Sequence, residues 1–351
     1  MERNNRTVII GRIVITINTT LNDTDDAIFS PNRNIFYVSV DIIALIGVLA
    51  TNGFVLGILL CNRHLHTPFN IYVMSLCTSN ILCYDVFVNV LQILNDWYAT
   101  WWMGPAACVV LLYGNFVFTG GTNMSHFLIT FNRLWAVFHP FSYREYHSRN
   151  FAVIVCLSIW AIIHLVTLPP LLLDLPSKGR VDEGGCDLDP GTHRTWTLVV
   201  LIVVYLIPTA FVIGSYPVFV YKKIRTGVEK GRDVVPSVSS RNQSLFRSRH
   251  RELDRGFLVL TAMTMSVTVC WLPNNVSATV TIFTGRAAPE WMRKMFWALY
   301  PVQALIDPVL FAVCLQDVRQ AVRKCLSIPC RAGTCVTNQR DLVHKKFTGQ
   351  T

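Results

Sequence analysis

The sequence predicts an all-α membrane protein: a bundle of seven transmembrane helices followed by a short amphipathic helix. Three observations lead to this prediction. Only 15% of the 351 residues are charged and 52% are hydrophobic, whereas soluble domains carry about 25% charged residues. The apolar residues form runs of about 20 residues or more, the length that crosses a hydrocarbon core of about 30 Å as a helix. Basic residues gather in alternate connections between these runs. The composition excludes disordered, collagen-like and small disulfide-rich chains.

Seven runs qualify as spans, and each is too long and too uniformly apolar for a strand. A closed barrel would show short segments of alternating polarity, and within lipid a single segment satisfies its own backbone groups only as a helix. We expect an N-terminal segment over 1–35, the bundle over 36–315, and an amphipathic helix with a tail over 316–351. The predicted spans are about 36–61, 70–94, 106–138, 151–173, 196–221, 256–283 and 294–315.

Charge placement predicts the orientation of the chain. With the N-terminus outside, the inner segments carry 21 basic and seven acidic residues, and the outer segments carry ten and eleven. Three further acidic residues, Asp41, Asp85 and Asp307, lie within spans. This asymmetry follows the positive-inside rule and predicts a multi-pass protein of the plasma membrane with an extracellular N-terminus. Because the basic residues flank spans, they indicate membrane lipid or a cytoplasmic partner, and no nucleic acid.

Three Asn-X-Thr triplets, at Asn5, Asn18 and Asn22, lie in the segment expected outside. We therefore expect N-glycosylation there. Acceptor triplets also arise by chance, and an Asn-Gln-Ser triplet at Asn242 lies on the expected inner side.

The cysteines divide by compartment. Of the eleven, only Cys108 and Cys186 fall at outer positions. Because the outside is oxidising, this pair predicts a disulfide that holds the second outer loop over the bundle. Cys325 and Cys330 follow the last span on the inner side, where they are candidates for palmitoylation. Free thiols are the alternative.

Short motifs recur in order along the predicted spans. They are Asn52 in Thr-Asn-Gly-Phe-Val, Asn132 and Arg133 after Phe131, Trp160, Pro208 with Tyr216, Trp271 in Cys-Trp-Leu-Pro, and Asp307 in Asp-Pro-Val-Leu-Phe. Their order and spacing resemble the rhodopsin-family (class A) G-protein-coupled receptors over residues 36–330. The resemblance implies a receptor that binds an extracellular ligand and activates a heterotrimeric G protein. It also implies arrestin and receptor kinases as further partners.

The polar pair that the resemblance places in the second and seventh spans is exchanged. Asn80 stands where the family usually has aspartate and Asp307 where it usually has asparagine, a swap that resembles gonadotropin-releasing-hormone receptors. With Thr122, the pair can still form a buried polar cluster. A buried ionised aspartate is costly without a partner, which makes Asp307 a functional candidate. Sodium is the candidate ion at Asn80, Thr122 and Asp307, and a protonated or amide-bonded packing residue is the alternative.

Asn132 stands where the family has an acidic residue beside the arginine. Loss of that counter-ion predicts a weaker inactive-state lock on Arg133 and raised basal activity. Phe311 stands in place of a tyrosine, so no hydroxyl is available there to reach Tyr216 through water. The resemblance assigns activation and G-protein coupling to Asn80, Asn132, Arg133, Tyr216, Asp307 and Pro308.

Polar residues in the outer halves of the spans form the candidate ligand site, since ligand sites are clefts with a few convergent polar groups. Asn115 stands where amine receptors of the family carry an aspartate, which disfavours a typical monoamine ligand. Spacings of three or four residues place Asp85, Asn89 and Gln92 on one helical face. For Asn274 and Asn275 the alternative is interhelical hydrogen bonding. The candidate set is Asp85, Asn89, Gln92, Asn115, Trp271, Asn274, Asn275, Trp297 and Tyr300.

The acidic second outer loop, residues 182–189, would attract a basic ligand, although a solvated loop has the same composition. We expect a peptide or a cationic small molecule, with an amine-like small-molecule receptor as the alternative. Pro301 stands where opsins carry the lysine that binds retinal, which disfavours a conventional opsin. We expect His126 and His164 to be buried packing residues, and we expect no cofactor and no metal cluster.

The chief rival class is a secondary transporter. Transporters show internal repeats and broken helices near the membrane midplane, and the two halves of this sequence show no such symmetry. An enzyme is disfavoured because no nucleophile–base arrangement, metal motif or acid pair has a suitable spacing. After the last span, residues 316–326 place apolar side chains on one side and basic ones opposite, which predicts a short helix on the membrane surface.

Overall fold

A computed structural model describes residues 5–10, 13–18, 31–98, 101–174, 186, 194–232, 256–284 and 289–327. Within them the fold is helical apart from one antiparallel hairpin, Asn5–Ile10 with Ile13–Asn18, in which Asn5 pairs with Asn18. This hairpin is an addition to the predicted all-α fold. Both strands are rich in valine, isoleucine and threonine, the β-branched residues that favour extended backbone.

The seven spans form where the hydropathy predicts them. Spans 2 and 5 each contain a π-helical turn between two α-helical parts. In chain order the spans are Pro31–Cys61; Pro68–Ile81, Leu82–Val88 (π) and Asn89–Tyr98; Gly104–Phe138; Arg149–Asp174; Arg194–Val200, Leu201–Leu206 (π) and Ile207–Arg232; 256–270 with Leu272–Thr284; and Glu290–Cys314. A short helix, Pro140–Tyr146, lies between spans 3 and 4 and is called the loop helix below.

The last two helices are joined at a sharp bend. Leu299–Cys314 and Gln316–Cys325 meet at 98°, so the chain turns across the bundle axis after span 7. In the C-terminal helix, Gln316–Ser327, Val318 and Ala321 are buried whereas Arg319 and Arg323 are exposed. The predicted amphipathic helix is confirmed.

Span 3 is the central helix of the bundle. Of its most apolar stretch, 61% is buried, compared with 22% for span 4 at the edge. Large apolar side chains on span 4, such as Leu157 and Leu165, are exposed on the outside of the bundle, where lipid replaces water as the solvent. Span 3 is therefore the helix whose side chains reach most of the other spans.

Two large apolar clusters occupy the described part of the bundle, one near each end, and a small third one contains Phe219 and Leu260. The first surrounds Trp271 and includes Cys108 and Tyr205, and we call its end the disulfide end. The second surrounds Ile129 and Phe311, near Arg133, and we call its end the Arg133 end. Polar side chains on span 3 lie between and beside these clusters, and they form the candidate site.

Candidate functional site

The predicted bridge is present at the disulfide end. Cys108 and Cys186 are joined, with their Cα atoms 5.4 Å apart, which confirms the prediction from the cysteine count. The chain entering span 3 is fixed beside the bridge, because the indole of Trp101 donates to the carbonyl of Gly104 at 2.9 Å. Gly104 has φ of +78°, a conformation that glycine adopts without a steric penalty.

Trp271 lies at the floor of this end and is fully buried between two tyrosines. Tyr205 stacks on it at 6.3 Å, and Tyr300 meets it edge-on at 5.3 Å. The Tyr300 hydroxyl lies 2.6 Å from the Thr119 hydroxyl and 3.5 Å from the Cys83 sulfur. Two of the predicted site residues, Trp271 and Tyr300, therefore come together, and spans 2, 3, 5, 6 and 7 all contribute to this floor.

Several buried polar atoms near the floor have no hydrogen-bond partner among the described residues. They are the side-chain oxygens of Asn115, Asn274 and Asn275, the hydroxyl of Tyr205 and the indole nitrogen of Trp271. Asn115 lies one helical turn from Thr119 on the same face of span 3, and Asn274 lies one turn from Trp271. Because an unpaired buried polar group costs about 1–3 kcal/mol, a ligand that bonds to these groups gains affinity from them.

The predicted polar stripe on span 2 begins within a π-helical turn. Asp85 lies inside the π segment Leu82–Val88, which contains an extra residue per turn, so the α-helical spacing used to align the stripe does not hold there. Asn89 is fully buried, whereas Asp85 and Gln92 are half-buried. Both carboxylate oxygens of Asp85 lack a hydrogen-bond partner among the described residues.

A second π-helical turn, Leu201–Leu206 in span 5, is bound by a residue that the sequence analysis did not identify. The Asn123 amide donates to the carbonyl oxygens of Val204 at 2.7 Å and Tyr205 at 3.2 Å. Span 3 approaches closely here, since a Cβ on Gly120 would lie 2.8 Å from a methyl group of Val204. The amide of Asn123 thus satisfies carbonyls whose α-helical bonding is disturbed by the π turn.

Asn275 of the predicted set joins the same network. Its amide donates to the Thr209 hydroxyl at 2.8 Å, and that hydroxyl lies 3.5 Å from the Asn123 side-chain oxygen. Interhelical hydrogen bonding, the alternative for this residue, is therefore observed through its nitrogen. Its oxygen has no partner in the described part of the chain.

The exchanged pair of spans 2 and 7 forms two separate clusters. Asn80 donates to the Asn52 side-chain oxygen at 3.1 Å and accepts from the Thr122 hydroxyl at 3.0 Å. Asn52 also donates to the Ala304 carbonyl at 2.8 Å, which links this cluster to span 7. Asp307 is bound elsewhere, so the sodium ion expected at Asn80, Thr122 and Asp307 stays a prediction.

Asp307 is paired with His126, which is buried as expected but has a polar partner that the sequence did not indicate. The imidazole Nε2 lies 2.9 Å from the carboxylate Oδ2, and the two side chains are 0% and 1% exposed. Ser266 donates to the other oxygen at 3.4 Å, and the Gln303 amide lies 3.3 Å from the same imidazole nitrogen. A lone histidine in an apolar span gave no indication of its partner, because that partner is 181 residues away.

At the Arg133 end, Asn132 binds the segment that follows the loop helix. Its amide donates to His147 Nε2 at 2.7 Å and its oxygen accepts from the Tyr143 hydroxyl at 3.2 Å. The Tyr72 hydroxyl lies 3.2 Å from the same imidazole nitrogen. Burial first, and the nearby Arg133 charge second, lower the pKa of His147 to about 4. The imidazole is therefore neutral at pH 7, with Nε2 as an acceptor.

Arg133 itself lies over an aromatic ring. Its guanidinium carbon is 3.4 Å from the centre of the Phe69 ring, a cation–π contact. Tyr216 stacks on Phe257 at 6.2 Å, and the Lys223 ammonium lies 3.8 Å from the Phe257 ring centre. Pro308 is buried one residue beyond Asp307. The residues assigned to activation thus lie on spans 2, 3, 5 and 7.

Some predicted positions lie wholly or partly outside the described residues. Asn22, Cys330 and the acidic residues of the second outer loop fall outside them. Asn5 and Asn18 are the end residues of the hairpin, and Trp297 lies in the helix of span 7 with a side chain that is not described. Cys325 is exposed on the C-terminal helix. Glycosylation and palmitoylation stay predictions.

Comparisons with known proteins agree with this architecture. The family described as 7 transmembrane receptor (rhodopsin family) matches residues 51–311. Melatonin receptor type 1B-B of Danio rerio is 26% identical over 323 residues, covering 87% of each chain. Opsin Rh6 of Drosophila melanogaster is 25% identical over 305 residues, which cover 83% of this chain and 80% of the opsin. The 5-hydroxytryptamine receptor 1D of Cavia porcellus is 23% identical over 350 residues, which cover 87% and 92%.

The bundle of apolar helices, together with this family match, identifies a multi-pass membrane receptor. The chain belongs to the rhodopsin family of seven-transmembrane receptors.

Proposed function

We propose that the chain is a G-protein-coupled receptor that binds an extracellular ligand at the disulfide end and activates a heterotrimeric G protein at the Arg133 end. The observation that carries this proposal is the series of buried polar contacts along span 3. Thr119 contacts Tyr300, His126 contacts Asp307, and Asn132 contacts His147. A ligand that favours one arrangement of these contacts shifts the population of the whole bundle by its differential affinity.

The test is guanine-nucleotide exchange. Membranes that contain the full chain are mixed with purified heterotrimers of each G-protein class, and libraries of peptides and cationic small molecules are screened for stimulated exchange. We expect at least one ligand and heterotrimer to respond, and Arg133→Ala to lose exchange while ligand binding persists. A ligand that binds and accumulates inside cells without any exchange would instead support the secondary transporter.

The ligand class is proposed as a peptide or a cationic small molecule. Asp85 supports a cationic group, because its half-buried carboxylate has no hydrogen-bond partner among the described residues and a cation would compensate its charge. The acidic residues 182–189 support attraction of the same kind of ligand before it enters.

A small amine-like ligand is the second candidate. It is favoured by the likeness to a 5-hydroxytryptamine receptor and opposed by Asn115, which carries no charge. Competition binding separates the two: displacement of a bound peptide probe by simple aryl-alkylamines would support the amine. Displacement by basic peptides alone would support the peptide.

The proposed orientation places residues 1–35 and the disulfide end outside the cell, with 316–351 in the cytoplasm. The charge asymmetry between the two sides supports it. Epitope tags at the two ends of the chain should be accessible on opposite faces of intact cells. Glycosylation at Asn5, Asn18 and Asn22, and palmitoylation at Cys325 and Cys330, belong to the same proposal. Glycosidase digestion and acyl-exchange labelling test them, with arrestin recruitment as a later readout.

A further inference from the structure

His126 and Asp307 form a buried pair between spans 3 and 7. A buried ionised carboxylate needs a counter-charge or several donors, because removal from water costs several kcal/mol. Both of its oxygens already have protein donors: His126 at Oδ2 and Ser266 at Oδ1. Among the described residues no group of three or more His, Cys, Asp or Glu side chains is arranged to hold a metal.

The oxygens of the neighbouring cluster are also engaged. The Asn80 side-chain oxygen accepts from Thr122, and the Asn52 side-chain oxygen accepts from Asn80. Hard cations such as sodium are held by several oxygen ligands at once. Here an imidazole nitrogen lies at hydrogen-bond distance from the carboxylate, where such a cation would need to contact it.

We propose that His126 takes the place of a bound cation at Asp307, and that this carboxylate binds sodium only when the imidazole is removed. Removal of the ring would leave a cavity bordered by the two Asp307 oxygens, the Ser266 hydroxyl and the Gln303 amide. The Gln303 oxygen is buried and has no partner in the described part of the chain. These oxygens on spans 6 and 7 have the chemistry that a monovalent hard cation requires.

The placement also makes His126 a positioning residue for the proposed receptor function. It joins span 3 to span 7 at Asp307 and, through Ser266 on the other oxygen of that carboxylate, connects to span 6. The titratable side chains close enough to Asp307 to interact with its charge include Cys77 on span 2 and Cys270 on span 6. Neither carries a positive charge, and the imidazole Nε2, at 2.9 Å, is the nearest side-chain partner that the described residues offer to this carboxylate.

Thermal unfolding of the purified full chain in detergent tests the cation site directly. The midpoint is compared in sodium chloride and in choline chloride at the same ionic strength, about 0.15 M. A ligand that binds only the native state raises the midpoint in a saturable manner. We expect the unaltered chain to have the same midpoint in both salts. His126→Ala should unfold earlier in choline chloride and recover part of the loss as sodium is added.

The matched control is His164→Ala on span 4, whose imidazole Nδ1 lies 2.6 Å from the Trp160 carbonyl of its own helix. It should show no sodium dependence. A second variant, His126→Ala with Asp307→Asn, should lose the sodium dependence of the single variant.

Two outcomes overturn the proposal. The first is a midpoint of the unaltered chain that depends on sodium, with that dependence lost in Asp307→Asn. The second is a His126→Ala variant that folds and has the same midpoint with and without sodium. If His126→Ala does not fold, the proposal is judged by the thermal midpoints of the unaltered chain and of Asp307→Asn as sodium is added. The signalling consequence rests on the proposed function, whereas this measurement needs no G protein. The two proposals can therefore fail separately.

Discussion

The Asn132 amide donates to His147 at 2.7 Å, so the residue beside Arg133 holds the chain after the loop helix instead of neutralising the arginine. The amide adds no negative charge next to Arg133 in the chain, whereas an aspartate at this position would add one. We therefore predict that the unaltered receptor has ligand-independent nucleotide exchange above that of empty membranes, and that Asn132→Asp lowers it. An interaction of about 1 kcal/mol changes the active fraction about fivefold.

The control for this substitution is Asn150→Asp, which adds the same charge at an exposed position near the same end of the bundle. It should leave basal exchange unchanged. Equal basal exchange from the receptor and from empty membranes would contradict the weakened lock.

Acid should loosen the contact between Asn132 and His147. The pKa of His147 is about 4 in the folded chain, compared with 6.5 for an unperturbed histidine. The folded state favours the neutral ring. The contribution of His147 to the free energy of unfolding is therefore complete above pH 6.5, and it is lost progressively as pH falls from 6.5 towards 4. Protonated Nε2 would be a donor facing the donating Asn132 amide. Thermal midpoints measured across this range should fall more for the unaltered chain than for His147→Gln, with the exposed His139→Gln as the control.

The Tyr300–Thr119 hydrogen bond should stabilise the packing around Trp271. Its two hydroxyl oxygens are 2.6 Å apart and both side chains are buried. Tyr300→Phe removes a hydroxyl and keeps the ring against Trp271, so we expect a loss of about 1 kcal/mol in the free energy of unfolding. A double-mutant cycle with Thr119→Val measures the coupling, which should be about 0.5–3 kcal/mol for residues in direct contact. Strict additivity of the two losses would show that the hydroxyls do not interact.

The spans and the disulfide could be predicted because they depend on local properties of the chain. A run of apolar residues predicts a helix in lipid wherever it occurs, and the observed span Pro31–Cys61 ends where the predicted span 36–61 ends. The Cys108–Cys186 bridge could be inferred because only two cysteines lie on the oxidising side. These predictions needed no knowledge of which helices are neighbours.

The polar contacts could not be predicted, because they depend on register and on distant partners. The π turns Leu82–Val88 and Leu201–Leu206 rotate the helical residues that come after them, so α-helical spacing alone does not give the relative orientation of Asp85 and the residues that follow it. His126 contacts the Asp307 carboxylate only when spans 3 and 7 pack together. Asn123 has no family motif to mark it, although a polar amide in the centre of the most buried span was a usable signal.

Gly120 should be required for the approach of span 3 to the π turn of span 5. A Cβ there would lie 2.8 Å from the Val204 methyl group, and overpacking of this kind costs about 1–3 kcal/mol. Gly120→Ala should therefore lower the thermal midpoint and weaken the Asn123 contact to the Val204 carbonyl. Gly57→Ala is the matched control, since a Cβ on Gly57 meets nothing within 4 Å. By helix propensity the control should be neutral or stabilising by up to about 1 kcal/mol.

Substitution of Asp85 tests whether the ligand carries a positive charge. The Asp85 carboxylate lies half-buried in span 2 without a hydrogen-bond partner among the described residues. Asp85→Asn keeps the shape and removes the charge, so a cationic ligand should lose affinity by about 10- to 100-fold, or about 1.4–2.7 kcal/mol. Binding of that ligand is measured by competition, with Asp317→Asn on the exposed C-terminal helix as the control. If a cationic ligand binds both variants with the affinity of the unaltered receptor, Asp85 is not its counter-ion. An amine that gains affinity in Asn115→Asp would then place the ligand's charge beside span 3.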